Sequence, residues 1–298
     1  MCGIVGLLLK KPEWDARLGE LLVPMLTGMT ERGPDSAGLA VYASAPVPKL
    51  KLSLFQLHGD ADWAAFLRGL TAALPGEHAL QDSGRHAILT TAAPLGKVKH
   101  HLETAAPGLV LLSQGHRIAL YKDTGAPADI AARYGFRELT GSHAVGHTRM
   151  ATESAVTPAH AHPFTAGEDF CLVHNGSLSN PHEVRRKLEP LGIHFDTDND
   201  TEAACRFLEW RMREGDDIEA AIECGFTELD GFFTFLIGTQ NGLSLVRDPF
   251  ACKPAIVAET DDYVAVSSEF RSLAHLPGVA NAKLFEPQPR TIYHWERT

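Results

Sequence analysis

Short apolar runs bounded by glycine, proline and polar residues crowd the second half of this 298-residue chain. From residue 144 onward they recur at 144–152, 170–175, 232–238, 243–247, 255–258, 264–267 and 291–295. Runs of this length and spacing are typical of the strands of a meander. Only a few helical segments separate them, so the pattern predicts an α+β fold with largely antiparallel sheets rather than a doubly wound parallel sheet.

Periodic apolar positions predict the main helices. Residues 4–9 indicate a buried strand, and the leucines and methionines over 18–29 have the spacing of an amphipathic helix. Residues 180–183 (Asn-Pro-His-Glu) form a capped start signal for a helix that ends near residue 192. A further helix is expected from about residue 201.

Residues 44–140 carry weaker patterns, with repeated proline and glycine breaks. We interpret this segment as an elaboration of a single domain that spans residues 1–298. Its candidate helices lie at 63–74 and 129–134, and its candidate strands lie at 86–91, 110–113 and 118–121.

Composition narrows the function classes. The net charge of −10, with no basic run, argues against nucleic acid as a partner. No apolar stretch approaches the ~18 residues of a membrane span, and the N-terminus does not have the pattern of a signal peptide. The five cysteines are scattered and contain no CxxC pair, so neither a disulfide framework nor a zinc site is expected. We therefore expect a cytoplasmic protein without a metal centre.

The stretch MCGIVGL at the N-terminus places Cys2 directly after the initiator methionine. Removal of Met1 would give one residue both a thiol and a free α-amine. The amine has a pKa of about 7.7–8 and can accept the proton of the thiol, so Cys2 would carry its own base. A small core residue at the start of a strand is the alternative interpretation of the same position.

Three further segments carry side chains that suit chemistry on an amide. Arg149 ends an apolar run and is either a surface charge or a clamp for a carboxylate. Asn175-Gly176 is either a turn or a pair of donors for an oxyanion. Asp200 precedes a predicted helix, where it either caps the helix or faces an ammonium group. Together with a thiol, these groups suit hydrolysis of the side-chain amide of an amino acid.

Several motifs, in a fixed order from residue 2 to about residue 270, resemble those of the class-II glutamine amidotransferases, which belong to the N-terminal-nucleophile hydrolases. The motifs are CGIVG at 2–6, RGPDSAGLAV at 32–41, GHTRMATES at 146–154, AHPF at 161–164, HNG at 174–176, DTE at 200–202, RDPFACKP at 247–254 and SSE at 267–269.

The resemblance implies a four-layer αββα sandwich of two mainly antiparallel sheets. It implies that Cys2 is the nucleophile and that Asn175 and Gly176 form the oxyanion hole. It also implies that Arg149 and Asp200 bind glutamine. Arg32 and Thr152 fall in family motifs, and the resemblance implies that they support substrate binding. His162 matches a motif histidine, for which we expect a structural or loop-ordering role.

Two features refine the expected partner. Residues 121–134, followed by GHTRMATES, resemble the glutamate-synthase-like branch of the family, and within that branch the amidotransferase subunit of N-methylglutamate synthase. The chain departs from some members at Met150, where they carry tryptophan. The glutaminase scaffold leaves no room for a synthase domain. We therefore expect ammonia to pass to a separate synthase subunit in a hetero-oligomer. No cofactor is expected in this chain, and the resemblance places FMN and an iron–sulfur cluster in the partner.

Two other functions stay open at this point. One is a free-standing amidase of the same superfamily that acts on another amide. The other is a non-catalytic subunit that senses glutamine or serves assembly.

Overall fold

The computed structural model describes residues 2–150 and 156–297. Its strands are β1 (Gly3–Leu9), β2 (Ser36–Tyr42), β3 (Leu50–Gln56), β4 (His78–Ser83), β5 (His86–Thr91), β6 (Leu109–Gly115), β7 (Ile118–Thr124), β8 (His143–Arg149), β9 (Phe164–Thr165), β10 (Cys171–Leu178), β11 (Gly231–Gly238), β12 (Gly242–Arg247), β13 (Ile256–Glu259), β14 (Tyr263–Ser267), β15 (Lys283–Phe285) and β16 (Ile292–Glu296). Its helices are α1 (Leu18–Thr27), α2 (Trp63–Ala73), α3 (Leu95–Ala105), α4 (Pro127–Arg133), α5 (Pro181–Leu188), α6 (Asp200–Arg213) and α7 (Ile218–Glu228).

Within the described ranges the strands form three sheets in which all neighbours are antiparallel. The first sheet has the order β15-β13-β14-β1-β8-β2-β7, and the second has the order β16-β12-β11-β10-β9. The third has the order β4-β5-β3-β6. The predicted antiparallel α+β class is confirmed, whereas the third sheet was not predicted.

The first two sheets stack face to face because their strands are apolar on both faces. On β1, Ile4 and Leu8 belong to the same buried cluster as Val173 of β10 and Leu236 of β11. The alternate residues Val5, Leu7 and Leu9 point the other way, into a cluster with α1 and α4. A third cluster joins the outer face of the second sheet to α5, α6 and α7. The predicted four-layer αββα arrangement is therefore confirmed.

The third sheet lies within residues 50–115, inside the segment predicted to be an elaboration. The order β3-α2-β4-β5-α3-β6 is a split βαβ unit, with the first strand of the insert between its third and fourth. One face packs on α2 and α3 around Trp63, Leu70 and Val98. The interpretation of the chain as a single domain stays a prediction.

The other face of the third sheet covers strand β7, which is an edge of the first sheet. The backbone N–H of Leu120 donates to Ser53 Oγ at 2.8 Å. The His86 Nε2 atom lies 3.1 Å from the carbonyl O of Lys122 and 3.3 Å from its N. An uncovered edge strand invites pairing with other chains, so these side chains occupy backbone groups that would otherwise be exposed.

The sequence analysis missed α3, α7, β3, β4, β9 and β15. It placed Asn180 correctly as the N-cap residue of α5, with Pro181 at the start of the helix, but it did not predict the contacts of the Asn180 side chain. Asn180 makes no capping bond; its amide instead donates to Glu228 O and accepts from Asp230 N, at 2.9 and 3.0 Å. The side chain thus links the start of α5 to the end of α7, a contact that local sequence does not reveal. In the described ranges, no helix is long and apolar enough to cross a membrane.

We expect the protein to lose stability as the pH falls from about 6.5 to 4. Burial lowers the pKa of both His86 and His143 to about 4, below the ordinary histidine value of about 6.5. The unfolded chain therefore binds more protons in this window, and each histidine removes up to about 1.4 kcal/mol of unfolding free energy per pH unit. Urea titrations at pH 7, 6, 5 and 4 measure this slope.

The variant His143→Gln removes one of these titrations and should flatten the slope. His58→Gln changes an exposed histidine and is the matched control, with an unchanged slope. Equal slopes for wild type and His143→Gln would contradict the prediction.

Candidate active site

Cys2 is half-buried and immediately precedes β1, a central strand of the first sheet. Its carbonyl oxygen accepts hydrogen bonds from Arg32 Nε at 2.9 Å and from Asn175 Nδ2 at 3.1 Å. Its Sγ atom lies 4.0 Å from the carbonyl oxygen of Met150. Three segments distant in sequence therefore meet at the predicted nucleophile.

Arg32 joins the backbone of Cys2 to an acidic residue. Besides its bond to Cys2, its guanidinium donates to Glu269 Oε1 at 2.8 Å. The side-chain hydrogen bond from Arg32 is the main reason that the pKa of Glu269 is lowered. This geometry fixes the position of the nucleophile, while the predicted support of substrate binding stays a prediction.

The side chain of Asn175 is buried and held at both ends. Its Nδ2 donates to Cys2 O and to Ser268 Oγ, both at 3.1 Å, and its Oδ1 lies 3.2 Å from His147 Nε2. Because Oδ1 can only accept, His147 must donate through Nε2. Burial lowers the pKa of His147 to about 3, so the ring is neutral at physiological pH. This network turns the amide nitrogen of Asn175 toward Cys2.

The N–H of Gly176 points to the open edge of β10. Neighbouring residues of a strand present their backbone groups to opposite sides. His174 N and Leu178 N both point away from β11, to His162 Nδ1 and Asp200 Oδ2. Gly176 shares their parity, so its N–H faces the same edge between them.

Only glycine suits position 176. Its φ is +148°, and a Cβ would lie 2.0 Å from the carbonyl oxygen of Phe232. The exposed backbone of Gly176 therefore lies next to the amide of Asn175, which is the pair that the resemblance predicts as an oxyanion hole. Both hydrogens of Asn175 Nδ2 bind Cys2 O and Ser268 Oγ in this structure, so stabilisation of an oxyanion requires that one of these bonds is exchanged.

Arg149 ends β8 and is buried. The register pairs Gly3 with Thr148, so its extension by one residue places Arg149 opposite Cys2. The other residue predicted from this motif, Thr152, lies outside the described residues.

Asp200 is the first residue of α6 and reaches back to the second sheet. Its Oδ2 accepts the N–H of Leu178 at 2.9 Å, and its Oδ1 lies 3.8 Å from His174 Nδ1. Partial burial opposes ionisation, but the contacts with His174 and with backbone N–H groups outweigh it and lower the pKa of Asp200 to about 2. Asp200 is therefore a carboxylate at neutral pH, suited to a substrate ammonium group.

Glu202, which was not predicted to have a role, shapes the loop before Asp200. It is buried, and its two carboxylate oxygens accept the N–H groups of Asp196 and Thr197, both at 2.8 Å. A carboxylate that faces two backbone donors of the preceding loop fixes the entry into α6.

His162 fills the space between β8, β10 and α6. Its ring stacks on His147 with centroids 4.1 Å apart. Its Nδ1 lies 3.4 Å from His174 N, and its Nε2 lies 3.4 Å from Thr201 Oγ1. In the ranges that the structure describes, no group of three or more histidine, cysteine or acidic residues is placed to hold a metal ion.

The family model for a glutamine amidotransferase domain matches residues 147–275, which include Arg149, Asn175, Gly176 and Asp200. The glutamine amidotransferase-like protein GlxB of Rhizobium meliloti is 48% identical over 298 residues, covering 99% of this chain and 98% of its own length. The chain belongs to the class-II glutamine amidotransferase family.

Two longer proteins are similar to this chain over part of their own length. A glutamine–fructose-6-phosphate aminotransferase of Xylella fastidiosa is 36% identical over 45% of this chain and 22% of its own length. The glutamine phosphoribosylpyrophosphate amidotransferase of B. subtilis shares the fold, with a TM-score of 0.62 and 17% identity. That comparison covers 100% of the present chain and 49% of the solved B. subtilis chain.

We expect His147→Leu to lower kcat for glutamine hydrolysis by about 10²-fold, the size of an oxyanion-hole defect. The variant removes the donor that orients Asn175, so KM should change little. His147→Gln keeps an N–H donor near the position of Nε2 and should recover most of the rate. Steady-state assays of glutamate release measure both values, and similar losses in both variants would contradict the role.

Proposed function

We propose that this chain is a glutaminase subunit that hydrolyses glutamine to glutamate and ammonia through a thioester on Cys2, and that it delivers the ammonia to a separate synthase subunit. The observation that carries the proposal is that the amide of Asn175 reaches the backbone of Cys2, with the exposed backbone of Gly176 next to it in the chain. Two donors next to a thiol suit the tetrahedral intermediate of acyl transfer.

The reaction would begin once Met1 is removed. The free α-amine of Cys2 takes the proton of its own thiol, and Sγ attacks the carboxamide carbon of glutamine. The Asn175 amide and the Gly176 N–H stabilise the oxyanion. The C–N bond breaks as the α-ammonium returns its proton, and ammonia leaves. Water, deprotonated by the same amine, then cleaves the thioester and releases glutamate.

The two charged residues bind the amino-acid end of glutamine in this proposal. Arg149 faces the α-carboxylate, and ionised Asp200 faces the α-ammonium. Thr152 and Arg32 support the pocket, the latter by fixing the backbone of Cys2.

Exposed apolar side chains near Cys2 favour a protein partner over a free-standing amidase. Met150, Phe232, Phe250 and Phe270 are exposed, and we propose that together they form one interaction surface, the apolar rim. Met150 contacts Cys2, Phe232 adjoins Gly176, and Phe270 follows Glu269. Phe250 lies in the loop after β12. This loop contacts β11, because the Thr234 hydroxyl donates a hydrogen bond to the carbonyl oxygen of Lys253. Exposed patches of this kind mark interaction sites.

The partner class follows from the resemblance in residues 121–134. We propose a synthase subunit of the glutamate-synthase or N-methylglutamate-synthase type, which would hold FMN and an iron–sulfur cluster. In the second case methylamine would compete with ammonia or replace it.

We expect Cys2→Ala to release no glutamate and to escape labelling by the thiol-reactive glutamine analogue 6-diazo-5-oxo-norleucine. Cys252→Ala changes an exposed cysteine outside the proposed site and should retain both properties. Intact mass reports the label and the absence of Met1 in one measurement. Labelled, active protein that keeps Met1 would contradict the mechanism, and unlabelled wild type without turnover would favour a non-catalytic subunit.

We expect Phe250→Ser to weaken association with the synthase subunit, whereas Leu284→Ser should not. Both side chains are exposed, but Leu284 lies on β15 at the far edge of the first sheet. Co-elution of the purified subunits measures association, and the ratio of glutamine-dependent to ammonia-dependent product measures transfer. Equal behaviour of the two variants would contradict a partner on the apolar rim.

A further inference from the structure

A buried lysine lies next to the site but has no part in the proposed chemistry. Lys122 is on β7, between Tyr121 and Asp123, and only 5% of its surface is exposed. Alternation along the strand places its side chain on the face opposite that of Asp123. Asp123 binds Tyr134 and Arg133 on the side of α4. Lys122 therefore points toward the second sheet.

Three backbone carbonyls of one short segment surround the ammonium group. Lys122 Nζ donates to Ala161 O at 2.8 Å, with Ala159 O and Pro163 O each at 3.4 Å. It also lies 4.7 Å from the ring centroid of Phe164. Among the described residues, no carboxylate lies within ion-pair distance of this nitrogen. Because a buried charge is costly unless it is satisfied, the carbonyls must hold their positions around it.

The same segment is seated closely on the first sheet. Gly38 of β2 pairs with Lys122, and a Cβ at Gly38 would lie 2.1 Å from the carbonyl oxygen of His162. The backbone of residues 159–163 is thus packed against Gly38 of β2 and hydrogen-bonded by the ammonium group of Lys122.

His162 lies between two of the carbonyls that Lys122 binds, those of residues 161 and 163. Its ring contacts His147, which donates to Asn175, and it contacts Thr201 beside Asp200. One side chain therefore adjoins both the proposed oxyanion hole and the proposed ammonium site.

We propose that Lys122 is a positioning residue for glutamine turnover, which acts by holding the carbonyls on either side of His162 and through it aligns Asn175 and Asp200. This inference rests on the proposed function. Loss of the ammonium would let the segment shift and would misplace both halves of the site.

The test compares Lys122→Met with Lys51→Met, each measured in purified full-length protein. Lys51 is the matched control because it is a partly buried lysine whose Nζ binds a single carbonyl, Arg117 O at 3.0 Å, in the third sheet. Rates are normalised to active sites counted by labelling of Cys2 with 6-diazo-5-oxo-norleucine. A merely structural role changes the melting temperature and the fraction of active sites but leaves kcat per active site and KM unchanged.

For Lys122→Met we expect kcat/KM to fall by about tenfold to a hundredfold, with kcat lowered and KM raised, as for small misplacements in other sites. Lys51→Met should stay within about twofold, the size of an ordinary surface or peripheral change. In the His162→Ala background, Lys122→Met should cause little additional loss, because the lysine acts through His162.

Wild-type values of kcat and KM in folded Lys122→Met would overturn the inference, and so would independent, multiplicative losses in the double variant. Should Lys122→Met not fold, Lys122→Gln, which keeps a shorter donor, is measured on the same terms. Failure of the proposed function is distinguishable, because wild-type protein would then neither release glutamate nor be labelled at Cys2.

Discussion

The pairing of β1 between β8 and β14 is the constraint on which the rest of the site depends. Gly3 pairs with Thr148, and Val5 pairs with both Gly146 and Ser267. A residue at the end of a free strand would fray, but Cys2 continues a strand that is bonded on both sides. The same ladders bring Arg149 from β8 and Ser268 from the end of β14 to the position of the nucleophile. Any slip in register would move all three at once.

The stacking of the two sheets supplies the other half of the site. Asn175 and Gly176 are on β10 of the second sheet, and they meet Cys2 because the Ile4 and Leu8 side chains pack against Val173 and Leu236. The distance between the thiol and the proposed oxyanion donors is therefore set by apolar packing over the whole interface. Polar contacts then set the local position of the Asn175 side chain. Ser268 Oγ, for example, accepts hydrogen bonds from both Ile4 N and Asn175 Nδ2.

Much of the site was accessible from sequence because its chemistry sits in short motifs. The prediction of Cys2 as a candidate nucleophile needed only its position and the properties of a thiol and an amine. The structure places Arg149 and Asn175 beside Cys2, Gly176 next to Asn175, and Asp200 against Leu178 of β10.

The supporting residues were not predictable in the same way. His147 is one of fifteen histidines, and nothing in its neighbourhood indicates that it faces the amide of Asn175. The third sheet was missed for a different reason: α3 buries only Val98 and Leu102, and β4 has no buried residue, so neither has a strong periodic signal. Both kinds of information depend on which segments pair in three dimensions.

Strand β7 connects the third sheet to the segment around His162 in the candidate active site. Its outer edge is covered by Ser53 and His86 of the third sheet, one face holds α4 through Asp123, and the other holds the segment around His162 through Lys122. The third sheet therefore covers the edge of β7, the strand that carries Lys122. A strand that is bonded on both sides cannot shift without breaking contacts. The third sheet therefore stabilises the segment around His162 indirectly, through β7.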